Sequence, residues 1–269
     1  MKVSITLGPR LQTVAAFVPE GAKLGDIGTD HAYLPIVLYE TQRISKAVAV
    51  DVHEGPYQSA LNAVKSRDLA AVIDVRFGDG LIPLERGEVD VLTLAGMGGK
   101  TMLDILSSRP DVLENVTDLI LQPQGAEGAV RLALLENGWR LKAERLVEEE
   151  DRIYVVMAFS RNEGWDKVEL VKKVQAWKQR LQLLLEKESM MTGILASEFP
   201  SLVYRLVWHF GPLVLEERTD LLRAHLNEYS GMLSRRLEQM KKSHSPEIEA
   251  KLREVRDELV FVEGLRIWQ

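Results

Sequence analysis

Over the first 160 or so residues, short apolar runs alternate with amphipathic stretches; beyond them only long helical periods remain. Leu11, Val14, Ala15 and Val18 recur at helical spacing and predict a helix over residues 7–18, which Pro19 and Gly21 end. Residues 22–27 read as a short strand. Residues 47–52 (AVAVDV) read as a second, apolar enough to be buried on both faces. A helix over 56–69 leads into a third strand at 73–77, and a fourth at 89–95 is followed by a helix over 100–107. A fifth strand at 119–122 precedes a helix over 126–137 that Gly138 stops. Two more strands, 139–147 and 153–160, flank the acidic turn 148–151, a connection too short for a crossover and therefore antiparallel. The alternation of strand and helix predicts an α/β fold with a parallel, doubly wound sheet.

After Arg161 the strand signals vanish. Leu170, Val174, Trp177, Leu181 and Leu184 fall on one helical stripe. Leu222, Leu226, Tyr229, Leu233, Leu237 and Met240 alternate by threes and fours, as do Ile248, Leu252, Val255, Leu259 and Val262. The turn 243–246 joins these last two, which predicts an antiparallel helical hairpin of coiled-coil type. Such a hairpin can close within one chain, so a monomer is expected. Residues 190–215 are apolar and aromatic, broken by Pro200 and by Gly211-Pro212, and read as packing between helices. The expected organisation is an α/β domain over 1–161 and an all-α, coiled-coil-like domain over 162–269.

Composition removes several classes of function. The chain has no cysteine, which excludes disulfides and thiolate metal sites, and its five histidines are scattered without ligand spacing, so no metal is expected. No apolar run reaches transmembrane length and the first residues lack a signal pattern; no membrane association and a cytoplasmic location are expected. A net charge of −6 argues against nucleic-acid binding by bulk charge. The acidic excess lies in the first 160 residues, however, and the remainder is slightly basic and able to face a polyanion locally. Ordinary solvated helix faces would give the same balance.

The stretch 25–35 (GDIGTDHAYLP) sets an acid, a glycine and a second acid at a strand-to-helix turn. A cofactor built on adenosine needs such a turn for its charged tail, an acid about 20 residues on for its ribose, and a polar group near the third strand for its base. Asp26 and Gly28, then Asp51 with Val52, then Asp79 with Gly80 stand at those places, and the glycine-rich turn Ala95-Gly96-Met97 follows the fourth strand. A nicotinamide fingerprint would carry three glycines to approach a pyrophosphate; here there is one, and Asp30 would repel a diphosphate. A sulfonium and an ammonium tolerate these carboxylates, which points to S-adenosyl-L-methionine. Arg10 is a candidate for the cofactor carboxylate or for a phosphate, with a surface role as the alternative. Asp26 and Asp30 could instead cap the following helix.

With GDIGTDHAYLP, DVHEGP (51–56), GDG (78–80), LAGMGG (94–99) and LILQP (119–123) in order, residues 5–160 closely resemble the bacterial tRNA (adenine-22-N1)-methyltransferase family. The helical tail is similar in architecture to that family's coiled-coil domain. The resemblance implies a Rossmann-like methyltransferase sheet and methyl transfer from S-adenosylmethionine to N1 of an adenine in the D-arm region of tRNA. It makes Asp30 the candidate to stabilise the cationic product or accept a proton, and His31, Tyr33, Gln122 and Pro123 the candidates to hold the adenine. His31 and Tyr33 could equally pack the first helix. Exposing the adenine costs a few kcal/mol, and Lys172, Lys173, Lys178, Arg180, Arg235, Arg236, Lys241 and Lys242 are candidate phosphate contacts to offset it. The competing readings are a methyltransferase on another RNA or a small molecule, an idle cofactor-binding protein whose coiled coil binds a protein, and a nicotinamide dehydrogenase.

Overall fold

The computed structural model describes residues 4–187, 199–241 and 246–268. They divide into two compact units, Met1–Asp166 and Lys167–Gln269.

The first unit is built on seven strands: β1 (Ala22–Ile27), β2 (Ile44–Asp51), β3 (Ile73–Phe77), β4 (Val91–Met97), β5 (Asp118–Pro123), β6 (Arg140–Glu149) and β7 (Arg152–Ser160). They lie in the order β3-β2-β1-β4-β5-β7-β6. β1 to β5 are parallel, and β7 runs antiparallel to both β5 and β6. β1 is flanked by β2 on one side and β4 on the other, so the strand order reverses there; in open α/β sheets ligands bind at that crevice, beyond the carboxyl ends of the strands. The β6–β7 connection is a two-residue turn at Glu150 and Asp151, both left-handed (φ 52° and 57°), which matches the twist of the paired strands. The turn is shorter than the four acidic residues suggest: Glu148 and Glu149 remain in the ladder.

The helices follow the apolar spacing. α1 (Pro9–Phe17) buries Val14, with Val18 buried just beyond its end. α2 (Tyr33–Glu40) buries Leu34, Pro35, Ile36 and Leu38, and α3 (Glu54–Ser66) buries Ala60 and Val64. α4 (Gly99–Ser108), the short α5 (Pro110–Leu113) and α6 (Glu127–Glu136) complete the unit. Leu24, Ala49, Ile73 and Val91 join Val14, Ile36 and Val64 in one core cluster. A fully buried ion pair, Arg131 of α6 with Glu144 of β6, ties helix to sheet. The unit runs a few residues past the expected limit of 161 because Trp165 pairs with Leu141 through two backbone hydrogen bonds of 2.9 Å.

In the second unit α7 (Lys167–Lys187) buries Leu170, Val174, Trp177, Leu181 and Leu185. The stripe steps from 181 to 185, so Leu184, expected in the core, is only part-buried. The described part of the apolar segment, residues 199–210, is α8 (Phe199–Phe210), with Phe199, Leu206, Trp208 and Phe210 buried. Pro200 sits in its first turn, where a missing N–H does no harm, and Gly211 ends it at φ 108°. A short 3-10 turn (Val214–Glu216) precedes α9 (Asp220–Met240), which Thr219 caps through a 3.1 Å bond from Leu222 N–H. α10 (Pro246–Trp268) lies along α9, and Ser230 donates to Glu263 across the pair at 2.8 Å. No described helix is long and apolar enough to cross a membrane.

Candidate active site

A cleft of about 300 Å³ opens at the carboxyl ends of β1 and β4. Of the residues singled out from sequence, Arg10, Asp26, Gly28, Asp30, His31, Tyr33, Ala95 and Gly96 line it, joined by Leu11, Thr29, Leu34 and Gln124. A larger hollow of about 470 Å³ lies in the second unit against Arg205 and Glu254, and it contains none of the sheet-end acids.

Asp26 forms the floor. It is buried, and both of its carboxylate oxygens accept hydroxyl hydrogen bonds: Oδ1 from Thr93 at 2.6 Å and Oδ2 from Thr29 at 2.5 Å. Burial pushes its pKa up, the two threonines oppose that shift, and the charge of Asp51 adds a smaller push upward. The chain then turns sharply. Gly28 is left-handed at φ 73°, a conformation that favours glycine, and a Cβ there would meet the flexible tip of Met97 at 2.9 Å. Asp30 and Ala32 are also left-handed, at φ 54° and 55°. Two non-glycine residues in that region within three positions mark a turn held by its surroundings.

Part of that hold comes from Asp51, buried at the end of β2. Its Oδ2 accepts the Asp30 N–H and its Oδ1 the His53 N–H, each at 3.0 Å. Val50 O accepts the N–H groups of Gly28 and Thr29 at 2.9 and 3.0 Å. The capping alternative for the two acids is therefore overturned. The N-cap of α2 is Ala32 with no side-chain cap bond, and the Asp26 carboxylate is occupied by threonines.

At the mouth, Asp30, His31 and Tyr33 are exposed. The His31 and Tyr33 rings stack at 5.1 Å and 20°, and His31 Nε2 lies 3.6 Å from Asp30 Oδ1. Tyr33 is 41 % accessible, so packing α2 does not account for it. Asp79 and Val52 are exposed at the ends of β3 and β2, Gly80 is buried against Ile105, and none of the three lines the enclosed cleft. Asp51 is likewise not among the lining residues; Gly78 N–H donates to Asp51 O at 3.0 Å, which sets the Gly78–Gly80 turn beside the end of β2.

Gln122 and Pro123, expected to hold the base, do not line the cleft. Both are buried within β5. The Gln122 carbonyl oxygen accepts from Arg10 Nη1 at 2.9 Å and from Gly96 N–H at 3.1 Å, and its amide donates to Pro123 O at 2.9 Å. The Gln122 side-chain oxygen is thus held by the two walls of the cleft and one amide N–H by its own strand. Sequence reasoning also missed Thr93, whose signal is a lone polar residue in the run Val91–Leu94, and Glu149, which bonds Arg10 from 139 positions away and gave no local signal.

The proposed phosphate contacts lie on the second unit. Lys172, Arg235 and Arg236 are exposed. Lys173 and Lys178 are part-buried. Arg180 pairs with Glu216 at 3.6 Å and Lys241 with Glu238 at 2.6 Å; Lys242 lies outside the described residues. No metal-holding group of three or more His, Asp or Glu occurs among the described residues.

The donor set suits a cation that carries one carboxylate. Two carboxylates and one guanidinium face the cleft, a poor match for a pyrophosphate and a good one for a sulfonium with an amino-acid tail.

Comparison with known proteins agrees. A family model described as a methyltransferase domain matches residues 7–157. The chain is 38% identical over 169 residues to a Bacillus subtilis tRNA (adenine(22)-N(1))-methyltransferase, an alignment covering 62% of this chain and 71% of that protein. The crystal structure of the B. subtilis m1A22 tRNA methyltransferase superposes with a TM-score of 0.76 at 28% identity, covering 98% of this chain and 100% of that one. Streptococcus pneumoniae Sp1610 in complex with S-adenosyl-L-methionine superposes with a TM-score of 0.72 at 30% identity, covering 96% and 98%. The acid-lined cleft at the strand reversal, the sheet that carries it and the family match across residues 7–157 have one common account: the chain belongs to the tRNA (adenine(22)-N(1))-methyltransferase family.

Proposed function

We propose that this protein transfers a methyl group from S-adenosyl-L-methionine to N1 of adenine 22 in tRNA. The observation that carries the reading is the cleft itself: a switch-point turn with one glycine and two carboxylates, whose Asp30 N–H is held by the acid at the end of β2, Asp51. The likeness to a tRNA (adenine(22)-N(1))-methyltransferase, across both the sheet and the helical unit, supplies the acceptor.

Bound there, S-adenosylmethionine supplies a methyl carbon already activated by its sulfonium. Asp51, with Val52 beside it, holds the ribose edge, Asp79 and Gly80 the base, and Gly28, Ala95, Gly96 and Met97 let backbone approach the methionine portion. Asp26 keeps a negative charge beneath the cationic centre. Adenine N1 is a neutral lone pair, so alignment rather than strong base catalysis is what the protein must provide. Tyr33, stacked on His31, offers an exposed ring face to the base. Asp30 stands beside the ring that becomes cationic and stabilises that charge. The basic residues of α7 and α9 contact tRNA phosphates and offset the few kcal/mol needed to expose the base. We read the enzyme as a cytoplasmic monomer, since the α9–α10 pair closes within one chain.

The test is methyl transfer from labelled S-adenosylmethionine to tRNA lacking the modification, followed by nucleoside analysis and position mapping. Label as 1-methyladenosine at position 22 is the expected result. Label on another nucleoside, or on none, overturns the assignment.

A further inference from the structure

Arg10 is the single Arg or Lys among the residues that line the cleft, and it is not free to move there. Its Nε donates to Glu149 Oε2 at 3.0 Å, its Nη1 donates to Gln122 Oε1 at 2.9 Å, and Tyr154 lies under the guanidinium at 5.8 Å. Its backbone N–H donates to the other Glu149 oxygen at 3.2 Å. Nη2 makes no hydrogen bond among the described residues. Nε and Nη1 are thus anchored and Nη2 remains available; Gly96 lies beside the anchored Nη1, where a Cβ would sit 3.6 Å away.

The two anchors differ in kind. Gln122 is fully buried, and the same oxygen that holds Arg10 holds the Gly96 N–H, so it sets the guanidinium and the β4 turn in one frame. Glu149 comes from the end of β6, an edge strand of the sheet. It also serves α1, whose N-cap Gly8 provides no side-chain cap.

We infer that Glu149 and Gln122 are positioning residues that hold Arg10 as the receptor for the carboxylate of the bound cofactor, an inference that rests on the S-adenosylmethionine reading above. A carboxylate is the one anionic group such a cofactor carries, and a fixed guanidinium with Nη2 to offer binds it with less entropy to lose than a mobile side chain would. The edge hairpin thereby becomes part of the cofactor site. A purely structural role for Glu149, capping α1, makes a different forecast: its loss would weaken every ligand of the cleft alike.

The experiment is calorimetric titration of the full-length protein with S-adenosylmethionine and with its decarboxylated form, which keeps the adenosine, sulfonium and amine. Wild type is expected to favour the carboxylate-bearing ligand about tenfold or more, the range of a charge-assisted pair. Arg10→Met should abolish that preference. Glu149→Gln should weaken S-adenosylmethionine about fivefold to tenfold while leaving the decarboxylated ligand within about twofold, and Gln122→Leu, which also releases the Gly96 N–H, should weaken both ligands but S-adenosylmethionine by about fivefold more. Equal losses for both ligands, or a wild type that does not discriminate, overturn the inference. A wild type that binds neither ligand overturns the cofactor reading itself, a separate and recognisable outcome.

Discussion

Each oxygen of Asp26 accepts one threonine hydroxyl, so the carboxylate has acceptors satisfied but little to offset the loss of water around its charge. Its pKa is raised by burial, so the folded protein holds this proton more tightly than the unfolded chain does. The stability linked to it is complete below the ordinary value of 3.8 and is lost as pH rises through the elevated folded value. Asp26→Asn removes that dependence: in thermal melts between about pH 4 and about pH 8, the Tm difference should move toward the variant as pH rises. A constant difference would mean that the carboxyl does not titrate on folding. The charge has its use when a cation arrives, and saturating S-adenosylmethionine at about 100 times its Kd should stabilise wild type by about 2.7 kcal/mol. Asp30 is the opposite case. Its side chain is 66% exposed, so its field is screened and its contribution modest. Asp30→Asn should lower kcat for tRNA about tenfold to hundredfold, with S-adenosylmethionine affinity unchanged in a parallel titration. A joint loss of kcat and cofactor affinity would place Asp30 on the cofactor instead of the acceptor.

Among elements, α4 and α6 meet closely because Gly99 has no side chain. A Cβ there would lie 2.6 Å from Gly125 O and 2.8 Å from Val130 Cγ2, and Gly99 N–H donates to that same carbonyl at 3.2 Å. Gly99→Ala must push α4 off the loop before α6, and overpacking of this kind costs about 1–3 kcal/mol. Chemical denaturation should show that loss, and because α4 starts at the glycine-rich turn, S-adenosylmethionine affinity should fall with it. An alanine variant of unchanged stability would contradict the close approach. The sequence made much of this level legible. The strand at 73–77 is where the apolar run put it, the order of strands and helices follows the periodicity, and the antiparallel β6–β7 pair follows from the short connection. α5 was not legible, since four residues give no period. At the site, the turn residues could be read because they are contiguous. Gln122 was misread because only the three-dimensional neighbours, Arg10 and Gly96, reveal that its amide faces inward. Thr93 and Glu149 were missed for the same reason: each acts on a partner 67 or 139 positions away.

At the scale of the molecule, charge is unevenly shared between the two units. The first carries the acidic excess and the cleft, and the second is slightly basic. A protein of net charge −6 is repelled by tRNA at long range, so its grip must come from local clusters. Lys172, Arg235 and Arg236 are the exposed candidates without an ion-pair partner among the described residues, whereas the charges of Arg180 and Lys241 are already partly neutralised by Glu216 and Glu238. The triple variant Lys172→Glu, Arg235→Glu, Arg236→Glu should therefore raise KM for tRNA and reduce the slope of log Kd against log salt by about one for each phosphate no longer neutralised. S-adenosylmethionine affinity and the melting of the first unit should not change, because none of the three residues lies in the cleft. If tRNA affinity and its salt slope survive the triple reversal, these three side chains are merely solvated, and the phosphate-binding groups must be sought among the other basic residues, including Lys178 on α7 and Lys100 after the glycine-rich turn of the first unit.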